Sequence, residues 1–486
     1  MNYWQGKMSR KVFKNSLYYM SASLLPAVVG FLMLPVYSRY VTPADYGIVA
    51  LVLSFQVFLP LILTFKIESS LPRFYFEYSG EELKVFVTTL IATTVLMASI
   101  IMGILVFFIE DMVSIIFPKI GSEYYYLFRL GLLTAYFSTF NAMFMSLIRV
   151  QQKASLFMRV SMSLFMMTLA INIIEVVVLK KGAHGVVEAT LISAFISSVV
   201  YFYVNKSFFV FKYSPSLVVD PLKFSIPLIP HTLSGLILMY SDRIILEKYV
   251  TLSAIGLYMF SGKIANVFKM VVNEFNNAFS PFFMETSKQS KEKAIAETRD
   301  LSLVFIYLSS MIVVFVAVFS SELVYFLLDA QYYETWKMIP LLASAYLFRS
   351  LYCFSSCGLF FEKKTGRVAT ITIVSGIINI GLNLIFIPIY GVMVAVFASL
   401  ASFFVTFVMS EMMSYNIYYM RLRLGKIGLI LFYVFGVMAI SFYINRNFGD
   451  FGLVEYVYKF LLLGAGIIIG YKLKLLNFDK LIRLKK

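Results

Sequence analysis

Three groups of charged and polar residues interrupt stretches that are otherwise apolar, and their types limit the chemistry they can do. The first is Lys66, Glu68 and Arg73, following the run that ends Leu63-Thr-Phe. The second is Asp242 and Arg243, followed by Lys263, Asn266, Lys269, Asn273, Glu274, Asn276 and Asn277. The third is Arg349, in an apolar run beside Ser350, Cys353, Ser355 and Ser356. An ionisable side chain inside a bilayer is costly unless it faces protein or water, so each is a functional candidate by default.

Lys263 to Asn277 occupy a helical arc of about 160° at ~100° per residue. A lipid-facing helix does not tolerate such an arc, whereas a helix lining a hydrated cavity needs one. The alternative is polar glue between helices. His231, Ser234, Gly235, Leu238 and Asp242 also fall at helical spacing on one side of their segment. Guanidinium binds phosphate through paired hydrogen bonds, which makes Arg349 a candidate anion contact, with pairing to a buried carboxylate as the alternative. Its counterpart in the first half of the chain lies near Ser138, so the cation is present in one half alone. Lys66 and Glu68 can pair with each other or across the halves. Arg73 also fits an arginine that snorkels to the interface. Arg129 is a weaker candidate, and Glu175 and Glu188 bracket a turn where a hydrated-interface role competes with titration. No glycine-rich phosphate loop, metal cluster or nucleophile–base pair stands out, so nothing in these residues supports an enzyme.

The elements that must hold these groups are membrane helices. The chain has 486 residues, 60% hydrophobic, 17% aromatic and 14% charged. A soluble domain carries roughly 25% charged residues. Apolar runs long enough to cross a bilayer core of ~30 Å recur from end to end. The pattern predicts an all-α polytopic membrane protein of about 14 transmembrane helices, the first near residues 15–38 and the last near 453–473. The first apolar run is too long for a signal peptide, and no small-residue cleavage site follows it. Cys353 and Cys357 lie four apart in one apolar helix and give no disulfide framework. His184 and His231 have no metal-ligand spacing.

A net charge of +16 invites a nucleic-acid reading, but the placement of the charges argues for topology instead. With a cytoplasmic N-terminus, roughly 28 of the 42 Lys and Arg fall in cytoplasmic segments, ~7 in external loops and ~7 within spans. Both termini are therefore expected in the cytoplasm. The basic tail (Lys472, Lys474, Lys480, Arg483, Lys485 and Lys486) suits an anionic inner leaflet. Trp4, the tyrosines at 124–126, Tyr332, Tyr333 and Trp336 sit where interfacial anchors belong. The longest connectors, near 205–223 and 285–300, fall on the cytoplasmic side.

An internal repeat organises the spans. Tyr40-Val-Thr-Pro-Ala-Asp-Tyr-Gly47 returns as Tyr249-Val-Thr-Leu-Ser-Ala-Ile-Gly256, about 209 positions later. Gln152 and Lys153 correspond to Lys363 and Lys364, and Asn172 and Gly185 correspond to Asn379 and Gly391, in the same order and at a similar offset. The expected domains are two six-helix bundles, 1–212 and 213–420, with two further helices and a basic tail over 421–486. Six spans per repeat keep both halves in the same orientation, so the bundles should be related by an axis along the membrane normal.

Four stretches carry a family resemblance. They are Pro35-Val-Tyr-Ser-Arg39 running into Gly47, Leu63-Thr-Phe-Lys-Ile-Glu-Ser-Ser-Leu-Pro-Arg73, Ser241-Asp-Arg-Ile-Ile-Leu246, and Gly391-Val-Met-Val-Ala395. On these the chain resembles the polysaccharide transporters of the multidrug/oligosaccharidyl-lipid/polysaccharide (MOP, MATE-like) exporter superfamily, most of all the O-antigen and related lipid-linked oligosaccharide flippases. The resemblance implies two six-helix bundles around a V-shaped cavity in a bacterial inner membrane. It also implies movement of an undecaprenyl-pyrophosphate-linked glycan from the cytoplasmic to the outer leaflet by alternating access. Lys66, Arg73, Arg243, Lys263, Lys269 and Arg349 would then bind substrate, while Glu68, Asp242 and Glu274 take up H+ or Na+. His231, Asn266, Asn273 and Asn277 would line the cavity. Membrane lipids, a polysaccharide polymerase and a chain-length regulator are the implied partners, with no cofactor, resident metal or nucleic acid. A multidrug exporter or a peptidoglycan-precursor flippase of the same superfamily remains open. An integral polysaccharide polymerase or glycosyltransferase fits less well, because such enzymes present catalytic groups on a large external loop.

Overall fold

The computed structural model describes Leu25, residues 28–445 and 452–473, and Leu475, without the side chains of His231, Leu238 and Ala278. Trp4, the start of the first expected span and all of the basic tail except Lys472 lie outside the described residues. Among the described residues every regular element is helical. Two compact units form, Met1–Gly256 and Leu257–Lys486.

The first unit contains α1 (Leu34–Tyr40), α2 (Pro43–Thr64), α3 (Gly80–Ile116), α4 (Tyr125–Val150), α5 (Ala154–Ile173), α6 (Gly182–Asn205) and α7 (Ile229–Tyr249). The helix α8 (Leu252–Gln289) begins at its end and continues into the second unit. There follow α9 (Lys291–Val318), α10 (Ile339–Phe361), α11 (Thr365–Tyr390), α12 (Met393–Ser414), α13 (Leu424–Ile444) and α14 (Leu453–Lys472). Among the described residues 11 helices are long and apolar enough to cross a bilayer, or 12 if Ala330–Lys337 and α10, bent by 42°, are one span. The other two expected spans are residues 15–38, partly outside the described residues, and α7, whose apolar run is diluted by Asp242, Arg243, Glu247 and Lys248.

The centre of the first unit is α2. Its most apolar window is 67% buried, against 17% for α14, and it packs on α3, α4, α6 and α7. Its start is well specified. Thr42 caps it by accepting from the Asp45 N–H at 3.1 Å, and Pro43 occupies the first turn, where its missing donor costs nothing. Its end is broken: Phe65 (φ 49°) and Lys66 (φ 68°) are both left-handed, a conformation that L-residues seldom adopt.

The two copies of the repeated motif meet inside this unit. A Cβ at Gly47 would stand 2.1 Å from the Leu252 carbonyl oxygen, and one at Gly256 would stand 1.8 Å from the Pro43 carbonyl oxygen. The last position of each copy therefore leans on the fourth position of the other, the reciprocal pattern of a two-fold contact. No side chain fits at either glycine without moving backbone. Gly256→Ala is expected to destabilise the detergent-solubilised protein by about 1–3 kcal/mol, as overpacking does. Gly262→Ala is the control: its Cβ would meet nothing within 4 Å, and alanine favours a helix by about 1 kcal/mol over glycine. Thermal melting of the two variants checks this, and equal midpoints would refute the steric account.

In the second unit, Phe279 and Phe283 of α8 are buried with Phe305 of α9 and Phe354 of α10. The last helix is fastened to this core. Gly466 and Gly470 let the α14 backbone approach Met311 and the hydroxyls of Tyr433 and Tyr307. Tyr307 donates to the Gly466 carbonyl at 3.1 Å, and Tyr433 donates to that of Leu462 at 2.5 Å. Lys459 is 2% exposed and Glu322 8%, and their charges pair at 2.5 Å. Ser321 donates to the other Glu322 oxygen at 2.9 Å.

Candidate functional site

In the first unit the break after α2 gathers the polar groups. Thr64 donates to the Pro60 carbonyl at 2.9 Å and its hydroxyl bonds Glu68 Oε2 at 2.8 Å. Lys66 Nζ lies 3.8 Å from Glu68 Oε1, both side chains being largely shielded. The left-handed pair at Phe65 and Lys66 turns the chain so that a lysine and a glutamate two apart face one another. Arg73 is not part of this pair. It bonds Glu77 one turn on, with both side chains well exposed, and its guanidinium lies 5.5 Å from the Phe74 ring.

On α7, Asp242 is buried and pairs with Arg243 at 2.5 Å. Arg243 also bonds the Met239 carbonyl and lies 5.4 Å from the Tyr240 ring. Its positive charge is thus largely balanced where it stands. The side chain of His231 lies outside the described residues. Elsewhere in this unit Arg129 pairs with Glu110. Lys181 holds Glu175 and Glu188 together, at 2.6 Å from each. The paired carboxylates, Glu175 first and Glu188 second, push the Lys181 ammonium above its ordinary range.

In the second unit α8 has two faces. Ser261, Ile264, Ala265, Phe268 and Val272 are buried, and at ~100° per residue they lie opposite the Lys263–Asn277 arc. The polar arc is thus turned away from the core of its own unit. Lys263, Lys269, Asn273 and Glu274 are half-buried, and Asn266 and Asn277 are exposed. Asn266 accepts from the Tyr346 hydroxyl of α10 at 3.1 Å.

Arg349 stands near the middle of α10. Its Nε is buried with no hydrogen-bond partner, and its guanidinium carbon lies 5.9 Å from the Phe403 ring of α12. Among the described residues no carboxylate pairs with it. The alternative of a buried ion pair is therefore not what the structure displays. A cation stacked on a ring and short of an acceptor is suited to receive an anion.

Sequence reasoning passed over two features. Lys459 stands at the start of an apolar run, four residues after Glu455, and only the fold brings it to Glu322. Glu411 in α12 buries both carboxylate oxygens, with no hydrogen-bond partner for either. It lies in the last turn of a helix, where the backbone dipole disfavours an anion, and that mismatch is a signal the sequence does carry. Asn379 and Asn383 bond each other at 3.1 Å. Ser375 and Thr406 do so at 2.8 Å, a polar seam that joins α11 to α12.

The model of the polysaccharide biosynthesis protein family matches residues 12–287, more than half of the chain. The chain belongs to that family. A curated relative, Lsg locus putative protein 1 of Haemophilus influenzae, is 26% identical over 290 residues, 58% of this chain and 68% of that protein. Among solved structures, lipid II flippase MurJ in an inward closed conformation superposes with a TM-score of 0.70 at 16% identity, over 98% of this chain and 99% of that one. An inward-facing multidrug resistance MATE family transporter of the MOP superfamily gives 0.64 at 16% identity, over 81% of this chain and 95% of that one. At such identities the likeness establishes the fold. This member of the polysaccharide biosynthesis family is thus a multi-pass membrane protein with a MurJ- and MATE-like fold, the class to which the sequence resemblance pointed.

Proposed function

We propose that the chain is a flippase that moves an undecaprenyl-pyrophosphate-linked oligosaccharide, an O-antigen, capsule or exopolysaccharide repeat unit, from the cytoplasmic to the outer leaflet. The observation that carries this reading is Arg349: a mid-helix guanidinium, stacked on Phe403 and without a carboxylate partner among the described residues. An uncompensated cation attracts a pyrophosphate and repels the cationic substrates of a multidrug exporter. The half-buried Lys263 and Lys269, on the polar side of α8, extend the same sign.

In this reading Arg349, Lys263 and Lys269 hold the head group, with Lys66, Arg73 and Arg243 as further contacts. Asn266, Asn273, Asn277 and His231 line a hydrated path. The bundles 1–212 and 213–420 rock against each other, and 421–486 contributes two more helices. Glu68, Asp242 and Glu274 are the coupling groups for H+ or Na+. Glu411 joins them, because an ionised carboxylate with both oxygens buried and unbonded is costly and is relieved by taking up a cation. The membrane is the bacterial inner membrane, with both termini cytoplasmic. A polymerase and a chain-length regulator would receive the product.

The direct test uses the purified protein in liposomes with a fluorescent lipid-linked oligosaccharide and a membrane-impermeant quencher. Protein-dependent transfer should raise the quenchable fraction from one leaflet's share toward the whole. If the vesicles instead move only a cationic dye, the multidrug reading replaces this one. If they move only lipid II, the peptidoglycan-precursor reading does.

A further inference from the structure

We propose that an aromatic groove on α3, α4 and α6 holds the polyprenyl chain of the lipid-linked substrate while the head group is being moved, an inference that rests on the flippase reading above. The helices α3 and α6 pack on α4 from either side, leaving between them a groove of about 660 Å3. That is within the range of roughly 300–1,000 Å3 typical of built ligand sites. Its walls are almost wholly apolar, with 7 aromatic rings among its 15 lining residues.

The rings are set against one another. Tyr136 and Phe140 meet edge to face at 4.7 Å, Phe137 and Phe195 at 5.2 Å, and Phe202 packs on Phe209 at 4.9 Å. Phe140 is 8% exposed, whereas Phe195 is 49% and Phe202 52% exposed. The groove therefore has a deep floor and opens along its length on the surface of the unit.

One end is closed by the chain that follows α6. The Thr88 hydroxyl donates to the Phe208 carbonyl at 3.0 Å and accepts from the Val210 N–H at 3.1 Å. Ser214 N–H bonds the Thr89 hydroxyl at 3.2 Å. This strap seats Phe209 in the groove, and the Phe209 N–H bonds the Lys206 carbonyl at 3.2 Å, so Lys206 follows one turn after Phe202 at that end. The Lys206 ammonium lies 4.2 Å from the Tyr203 ring. Among the described residues it has no carboxylate partner, whereas Lys212 is paired with Glu81 at 2.6 Å. The strap also touches the segment between α2 and α3, since the Phe208 ring lies 6.4 Å from that of Tyr75, two residues past Arg73.

Two properties select the occupant. A long apolar groove followed along the chain by a cation with no carboxylate partner among the described residues complements a hydrocarbon chain with an anionic head group. The dense aromatic lining then favours an unsaturated, methyl-branched chain, because ring faces attract the C–H edges of double bonds and methyl groups. The Phe208–Tyr75 contact joins this end of the groove to the stretch that follows Arg73, which the flippase reading assigns to substrate.

The test uses the full-length protein in nanodiscs with two photoreactive probes. One is a polyprenyl monophosphate carrying a chain diazirine, the other a phosphatidylglycerol with a diazirine acyl chain. Total binding of the polyprenyl probe is measured in parallel. The polyprenyl label should concentrate on residues 88–99, 136–144 and 195–202 and be displaced by unlabelled polyprenyl phosphate. It should fall at least fivefold in Ala92→Trp combined with Val199→Trp, which plug the exposed wall. Equal labelling of the groove by the phospholipid probe overturns the proposal, as does unchanged labelling of the plugged variant. If the polyprenyl probe binds but labels other helices, the groove is wrong and the flippase reading stands. If it does not bind at all, the groove proposal falls, and the liposome assay with the complete lipid-linked oligosaccharide decides the flippase reading separately.

Discussion

Arg349→Ala is expected to abolish glycan export while the amount of protein in the membrane stays near that of the parent. Among the described residues the guanidinium has no carboxylate to leave behind, so removing it strands no buried charge and the fold keeps its balance. The anion, by contrast, loses a charge-assisted contact in a shielded place. Truncating one side of such a contact costs about 2–5 kcal/mol. At ~1.4 kcal/mol per tenfold, that is roughly a thirty-fold to several-thousand-fold loss of affinity. Arg349→Lys keeps the charge and loses the planar fork. It should retain part of the activity if charge dominates and little if paired hydrogen bonds do. Export and abundance measured on the same cells decide the matter. A structural role predicts that the two fall together, and full complementation by Arg349→Ala with Lys269→Ala would end the binding reading.

Lys459→Met is expected to have the largest effect on stability. The lysine is buried, and Glu322 would be left as an uncompensated carboxylate. Breaking one side of a buried pair costs about 3–5 kcal/mol. Replacing both partners by apolar residues is often neutral or better, so Lys459→Met with Glu322→Leu should recover most of the loss. The measurement is the melting midpoint and membrane abundance of the single and double variants. A double variant as unstable as Lys459→Met alone would show that the pair is not what fastens α14. Export per folded molecule should change little throughout, which separates this site from Arg349.

How far these sites were legible in the sequence depends on the distance over which their residues interact. The polar arc of α8 is a local property, set by a 3.6-residue period. The structure adds that the packed face lies opposite it, as any amphipathic helix must arrange. Lys66 and Glu68 are two apart, and pairing was one of the options their spacing left open. Arg349 was visible as a charge inside an apolar run. Whether it had a carboxylate partner was not, because that depends on α12 and other helices distant in sequence. The Lys459–Glu322 pair joins residues 137 apart, beyond the reach of any periodicity. The groove on α3, α4 and α6 was hidden for a similar reason. Its phenylalanines read as ordinary lipid-facing or core residues until three helices and the strap are assembled.

The reciprocal seat of Gly47 on Leu252 and of Gly256 on Pro43 bears on how the chain is made. Gly47 leaves the ribosome 209 residues ahead of Gly256, about 10–40 s at ~5–20 residues per second. Throughout that interval the earlier motif has no backbone to rest against. The first unit thus waits in the bilayer unfinished, its seam open to lipid or to the insertion machinery, until the second copy arrives to close it. Folding of the first half is thereby tied to translation of the second.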